Sequence, residues 1–497
     1  MAFRFSAPEP ILYERPYEWP RLNVGSNEMV YLVSDLTPYT AFQIAKTGVG
    51  NTYVDWGDGV IESNSGSWVA EHVYTTGGTV VTNDRYPTYK VWVVRIYCDA
   101  GVTLTNARPY KNAVDAANKT FNTFIFGSVL EAYFGTNSDI PLPQWFSIST
   151  NAGINCKYLR YIKLPSVYTA GTLSSFFNTA SSSDLERIDL PTSTENDILG
   201  VSNMLQSHDN NFKLQSLVFP QDCTINNVAG AFNIGGLKEL VLPTSLDFTS
   251  LNGTFTACRS LELIDISRNV GVITTLQGAF QNCVSVKEIR LPSNINLNLS
   301  TSLTTAFNNC NSLYELDLSS VIVGSAVTGL ANTFQNCSTI TSIIMPPSGN
   351  GNGITSMSST FSGCSNLKTL NFNGFASTNT NQIDANTAFL SCFRLDNLSI
   401  PFRMSRFTLN GNSSTTKVDL SSLRFTNTGS TFAGTSPQIN VSYTNLSTAA
   451  LVTLFNDIAA TAATAGKTIN ITGATGAAGL TAGDRAILTS KGWTITG

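Results

Sequence analysis

Six times in this chain a phenylalanine is followed three places later by a cysteine, at Phe255/Cys258, Phe280/Cys283, Phe307/Cys310, Phe334/Cys337, Phe361/Cys364 and Phe389/Cys392. Successive cysteines are 25, 27, 27, 27 and 28 residues apart. A period this short restricts the chain to a solenoid, because one such unit cannot enclose an apolar core alone and gains one only by stacking on its neighbours. A few residues after each cysteine comes a short segment with apolar residues at its first, fourth and sixth places, such as Leu313, Leu316 and Leu318, or Leu367, Leu370 and Phe372. Proline often closes that segment, at Pro165, Pro191, Pro220, Pro243, Pro292, Pro346 and Pro401. Having no N–H for a ladder, it ends the strand there. Degenerate copies precede the array at 159–164, 185–190, 214–219 and 237–242 and follow it at 418–420 and 439–441. About a dozen rungs are expected.

The first-fourth-sixth spacing is that of leucine-rich repeats. The step Ala279-Phe280-x-x-Cys283, followed by a Leu-rich strand and proline, resembles the BspA-like leucine-rich repeats over about residues 130–445. On this reading Phe and Cys lie on one face of a short helix that points at the strand layer. Helices side by side would hold neighbouring cysteines roughly 10 Å apart, beyond the Cα limit of about 7 Å for a disulfide. The six are therefore expected as reduced, buried thiols packing as small apolar groups. Metal ligation is not expected, since no C-x-x-C pair occurs and the only histidines are His72 and His208. His208, three places after Leu205, stands where other repeats carry cysteine.

Before the repeats, Asp55-Trp56-Gly57-Asp58-Gly59 carries the Asp-Gly hairpin signal, and 89–97 alternates as a strand. With Glu71-His72-Val73-Tyr74 between them, these segments resemble a PKD-type β-sandwich over about residues 28–105, a module that in its family serves mostly as a spacer or interaction domain. Asp55, Asp58 and Glu62 are an alternative calcium set, although the turn already accounts for Asp58. After the repeats, Leu451, Leu454, Phe455 and Ile458 have helical spacing, Thr481 and Asp484 form a capping box before a helix that stops at Gly492, and 467–472 and 493–496 read as short strands. The fold class is thus mainly β with short helices. An extended Pro/aromatic arm (1–27), a PKD-like sandwich (28–105), a linker or repeat cap (106–129), the solenoid (130–445) and a small α/β cap (446–497) follow in order.

Charged residues make up 12% of the chain, about half the usual share, and Ser, Thr, Asn and Gly take their place. That surface suits an extracellular or virion protein. Net charge of −4 without a Lys/Arg cluster excludes a nucleic-acid partner. No apolar run approaches a spanning length, Val91 to Tyr97 being broken by Arg95, so no membrane insertion is expected. The first twenty residues have four prolines and no apolar h-region, and so do not read as a secretory signal. An exported-looking surface without an export signal points to a tailed phage, whose particles leave by lysis.

Between the leucine positions the strands offer solvent pairs such as Glu288/Arg290, Glu315/Asp317 and Thr369/Asn371. Glu288 and Glu315 on adjacent rungs, about 4.8 Å apart, would be near the spacing of a retaining glycosidase pair. Arg290 compensates the local charge, and no phosphate loop, nucleophile elbow or usable triad occurs. No catalytic residue, cofactor or metal site is therefore assigned. The leading expectation is a non-enzymatic virion fibre, adhesin or decoration subunit, possible as a homo-oligomer, binding other virion proteins or a host cell-surface molecule. The alternatives are a bacterial BspA-like adhesin and, behind it, a polysaccharide depolymerase. The candidate assembly contact is the N-terminal arm with Phe3, Phe5, Tyr13, Tyr17 and Trp19, which either docks on a neighbouring subunit or virion protein or folds back on its own sandwich, and whose removal over 1–20 should leave the solenoid folded.

Overall fold

The computed structural model describes residues 15–25, 28–36, 40–82, 84, 88–109, 129–134, 159–164, 167–168, 173–174, 184–191, 193–194, 198–205, 213–299, 301–413, 416–426, 438–458 and 466–497. The chain divides into two compact units, Met1–Leu246 and Asp247–Gly497. The division falls inside the repeats rather than between sandwich and solenoid.

The reason lies in the first unit's sheets. Eight antiparallel strands come first: β1 (Glu28–Ser34), β2 (Thr40–Thr47), β3 (Thr52–Asp55), β4 (Ile61–Asn64), β5 (Trp68–His72), β6 (Thr79–Val81), β7 (Tyr89–Cys98) and β8 (Thr103–Pro109). One sheet runs β4, β3, β7, β1, and the other runs β5, β2, β8. They face each other through buried Tyr31 and Phe42, whose ring centres are 4.6 Å apart. The Asp58-Gly59 turn joins β3 to β4 as the sequence indicates, with Gly59 at φ 97° and Trp56 N–H donating to Val60 O. The next strand, β9 (Val129–Phe134), pairs antiparallel with β1 and parallel with β10 (Tyr161–Lys163), which pairs parallel with Arg187–Asp189. The sandwich sheet therefore continues directly into the first rungs. The boundary expected at residue 105 falls inside β8, and residues 129–134, at the expected start of the solenoid, pair with the sandwich strand β1.

Residues 15–25 pack on this same unit. Trp19 is 3% exposed in a cluster with Leu32, Val81, Tyr89, Val91 and Leu130, and its indole N–H donates to Tyr89 Oη at 3.0 Å. Arg15 Nε donates to both oxygens of the fully buried Glu131, at 2.9 and 3.0 Å. Arg160 Nη1 donates to Asp84 at 3.0 Å while its guanidinium lies 5.0 Å from the Trp19 ring centre. For Trp19 this favours the fold-back reading over docking on a partner. Trp19 is a core residue of its own unit and not an exposed assembly anchor, and deletion of 1–20 would strip a buried aromatic and the counter-charge of Glu131 from the fold. Tyr17 is 81% exposed; Phe3, Phe5, Tyr13 and His208 lie outside the described residues.

In the second unit each rung has a three- to four-residue strand, and the strands 315–317, 342–344, 369–371, 397–400 and 422–425 form one parallel sheet. The opposite side of each rung is not helical. Two positions per rung lie in the left-handed region: Gly253, Gly278, Thr305, Asn332 and Ser359, and four residues later Ala257, Asn282, Asn309, Asn336 and Gly363. A right-handed helix cannot pass through such residues. Instead the backbone alternates. Ala279, Gln281 and Cys283 N–H groups close turns within the rung onto Leu276, Gly278 and Phe280, while Gly278, Phe280 and Asn282 N–H groups donate to Thr304, Ala306 and Asn308 of the next rung. The turn side is thus laddered like the strand side, and its rungs lie at strand-like separation rather than a helix diameter apart. About 11 turns result, close to the expected dozen.

The C-terminal helices and strands occur where the sequence indicates, with shorter bounds. Helix α1 (Thr448–Asp457) buries Leu451, Leu454 and Phe455 under a Ser447 cap. Helix α2 (Ala482–Thr489) starts with the Thr481/Asp484 capping box. Strands Thr468–Asn470 and Thr494–Thr496 extend the parallel sheet that begins at 383–385. Among the described residues no helix is long and apolar enough to cross a membrane.

Candidate functional site

In the second unit the three-residue strands at 263–265, 288–290, 315–317, 342–344 and 369–371 bury the middle residue and leave its two neighbours more exposed, which is the period-two alternation of a sheet with one covered face. In the second unit this sets Glu315, Ser342, Thr369, Asn397 and Ser422 side by side in one row. A second row holds Asp317, Ile344 and Asn371, with Ser399 beside Arg424 further along the sheet. The rows are mainly hydroxyl and amide groups. Arg424 closes one end against the terminal helix, its Nε donating to Asp457 Oδ2 at 2.6 Å.

The acidic pair weighed from the sequence stands on two strands that share no ladder among the described residues. Glu288 lies in a sheet formed with strand 263–265, whereas Glu315 pairs towards strand 342–344 in another sheet. Glu288 accepts from Arg290 Nε at 2.7 Å, and the same guanidinium reaches Asp265 at 3.2 Å. These contacts neutralise the acids, as the sequence suggested. Burial raises the Asp265 carboxyl, but bonds from Ser267 and Arg290 outweigh it and hold the group below the usual carboxylate range, so it stays ionised rather than poised as an acid.

On the first unit's sheet, Tyr133 and Tyr161 stand edge to face at 5.3 Å, and the Arg187 guanidinium lies 5.4 Å from the Tyr161 ring centre. Arg187 Nε donates to Asp189 at 2.6 Å, and Tyr161 Oη donates to the same carboxylate. Burial and the Asp189 carboxylate push the Tyr161 phenol well up, so it remains a donor. The Tyr161 hydroxyl is thus engaged by a neighbour within the protein rather than offered to a ligand.

The alternative calcium set is likewise engaged within the protein. Asp55 Oδ1 accepts Gly57 N–H at 3.0 Å, Asp58 Oδ1 accepts Val60 N–H at 3.1 Å, and Asp58 Oδ2 meets His72 Nε2 at 2.7 Å. His72 stacks on buried Trp56 at 5.0 Å. Among the described residues no three His, Cys, Asp or Glu side chains are gathered as a metal site would need.

The turn side carries what the sequence signalled most strongly. Phe255, Phe280, Phe307, Phe334, Phe361 and Phe389 form a continuous stack with ring centres 5.6, 5.3, 5.5, 5.3 and 5.4 Å apart, all buried. Their cysteines are buried too and carry thiols. Burial pushes the thiols of Cys283, Cys310 and Cys364 well up, and that of Cys392 to about 12. These four are not nucleophiles at neutral pH. Beside them runs a ladder the sequence reading missed: Asn309 Nδ2 donates to Asn282 Oδ1 at 2.7 Å, and Asn336 Nδ2 to Asn309 Oδ1 at 2.9 Å. Its signal was the Asn, Gly or Ser that precedes most of the cysteines.

Residues 205–325 and 252–417 match the BspA type leucine-rich-repeat region in six copies. The middle of this chain is similar to BspA-type leucine-rich repeats. No curated protein matches the chain. Among solved structures, a leucine-rich repeat protein from Bacteroides ovatus is similar at 17% identity over 71% of this chain and 88% of its own, with a TM-score of 0.37. A leucine-rich repeat protein from T. pallidum is similar at 17% identity over 46% and 82%, with a TM-score of 0.22.

Proposed function

We propose that the protein is a non-enzymatic adhesion protein whose BspA-type array presents its strand face to a macromolecular partner, either on a phage particle or on a bacterial surface. The supporting observation is the outward rows of the second unit. Thr369, Asn371, Asn397 and Ser399 form an exposed, nearly uncharged patch on a rigid parallel sheet. Such a patch costs little to desolvate and offers donors and acceptors at strand spacing, which suits a polymer with repeated hydroxyl or amide groups. Of the acids that could have supported hydrolysis, Asp265 and Glu288 are both paired with Arg290.

The test is adsorption of the fluorescently labelled full chain to a panel of whole bacterial cells. The double variant Thr369→Arg/Asn397→Arg should weaken adsorption at least tenfold, and Thr301→Arg on the turn side should not. Equal adsorption of the double variant and wild type would remove the strand face from the proposal, and failure to adsorb to any cell would remove adhesion. Mass spectrometry separates the two settings. Recovery from purified phage particles supports a virion protein, and recovery from washed bacterial envelopes supports an adhesin.

A further inference from the structure

Five consecutive cysteines share acceptors in one repeating geometry. Phe280 O accepts Cys283 N–H at 3.2 Å from its own rung and the Cys310 thiol at 3.1 Å from the next. Phe255, Phe307, Phe334 and Phe361 do the same, taking the thiols of Cys283, Cys337, Cys364 and Cys392 at 3.0 Å. Each sulfur therefore leans back over the backbone of the preceding cysteine. Rung spacing agrees. Stacked rings three residues away are 5.3 to 5.6 Å apart, and direct backbone bonds join neighbouring rungs on both flanks of each cysteine. Backbones joined in this way stand about 5 Å apart, inside the Cα range of about 4.4–6.8 Å that disulfides occupy. The helix-diameter argument that kept the cysteines apart thus does not apply to this fold.

We propose that the thiol row is a redox cross-linking site, in which a small-molecule disulfide converts adjacent cysteines into rung-to-rung bridges. Six sulfurs in a line pair without remainder as Cys258–Cys283, Cys310–Cys337 and Cys364–Cys392. In each pair one thiolate attacks the small disulfide, forming a mixed disulfide and releasing one small thiolate. The neighbouring cysteine then attacks the protein-bound sulfur, the mixed bond breaks, and the second small thiolate leaves. The two cysteine protons go to the two released thiolates, the small disulfide is reduced to two thiols, and the pair is oxidised by two electrons. Because the row is buried, the reaction proceeds while rungs are open, during folding or local opening, and the closed solenoid then shields the bridges.

The experiment refolds the denatured full chain in oxidised plus reduced glutathione, and in parallel in dithiothreitol, followed by peptide mapping without reduction and by melting curves. Linked peptides joining adjacent members of the row, loss of thiols in even numbers, and a melting temperature above that of the reduced sample are expected. Persistence of all six thiols, or bridges that join non-adjacent members, overturns the proposal. The variant Cys337→Ser keeps the test independent of any one pair: it should leave Cys364–Cys392 intact and one unpaired thiol among Cys258, Cys283 and Cys310. Scrambled bridges in that variant would also overturn it.

Discussion

Replacing Phe307 tests whether the ring stack, and not burial alone, holds the turn side together. Phe307 is fully buried with neighbouring rings 5.3 and 5.5 Å away, its N–H donates to Thr333 O at 2.8 Å, and its carbonyl takes the Cys337 thiol at 3.0 Å. The backbone bonds survive a side-chain change, so the cost isolates the ring. Phe307→Ala opens a cavity that a laddered backbone cannot collapse into, at about 3–5 kcal/mol. Phe307→Leu keeps most of the apolar volume and loses two ring contacts of about 0.5–1.5 kcal/mol each, so about 1–3 kcal/mol is expected. The double variant Phe280→Leu/Phe307→Leu loses their shared contact only once, so its cost should fall short of the summed single costs by about 0.5–1.5 kcal/mol. Urea denaturation followed by far-UV circular dichroism measures all of these. Strict additivity, or a Phe307→Ala cost below about 1 kcal/mol, would refute the argument.

Asn309 at φ 60° should tolerate glycine better than valine by about 1–2 kcal/mol, because a side chain branched at Cβ strains the left-handed region; equal urea midpoints for the two variants would count against the turn geometry. Trp19→Ala should destabilise by about 3–5 kcal/mol, and loss of the first unit's thermal transition is the readout; a variant as stable as wild type would mean that residues 15–25 do not belong to that core. At Asp58 burial raises the carboxyl, but His72 and the Val60 N–H lower it further, leaving the folded group below its ordinary value. Its contribution is therefore present above about pH 4 and lost as pH falls through the folded value, so the urea midpoints of wild type and Asp58→Asn should converge in acid and separate towards neutrality. A gap independent of pH would contradict this.

The strand side was legible because its signal is local: Leu313, Leu316 and Leu318 declare inward positions by spacing alone, and all three are buried. The capping box at Thr481 and the hairpin at Asp58-Gly59 were legible for the same reason, each being fixed by residues within a few places of one another. The turn side was misread because a three-residue step between Phe280 and Cys283 fits a helix and equally fits consecutive tight turns. What separates them is the residue before each cysteine, and Asn282, Asn309, Asn336 and Gly363 are residues that accept positive φ. That misreading carried into the cysteine spacing, since helices set rungs far apart and laddered turns do not. Trp19 was misplaced for a different reason: its partners Tyr89, Leu130 and Arg160 are distant in sequence, and no local pattern reports them. The candidate strand face was visible as alternating small polar residues, but which rungs share a sheet was not, and that decides the fate of Glu288 and Glu315.

The central functional claim, binding without catalysis, is tested most directly on one sample. Labelled full-length chain is incubated with bacterial cells, and bound protein is measured together with soluble reducing sugar. Saturable binding with no sugar released above a chain-free control is the result this account requires. Release of sugar that Glu288→Gln or Glu315→Gln abolishes would contradict it and establish a hydrolase in its place.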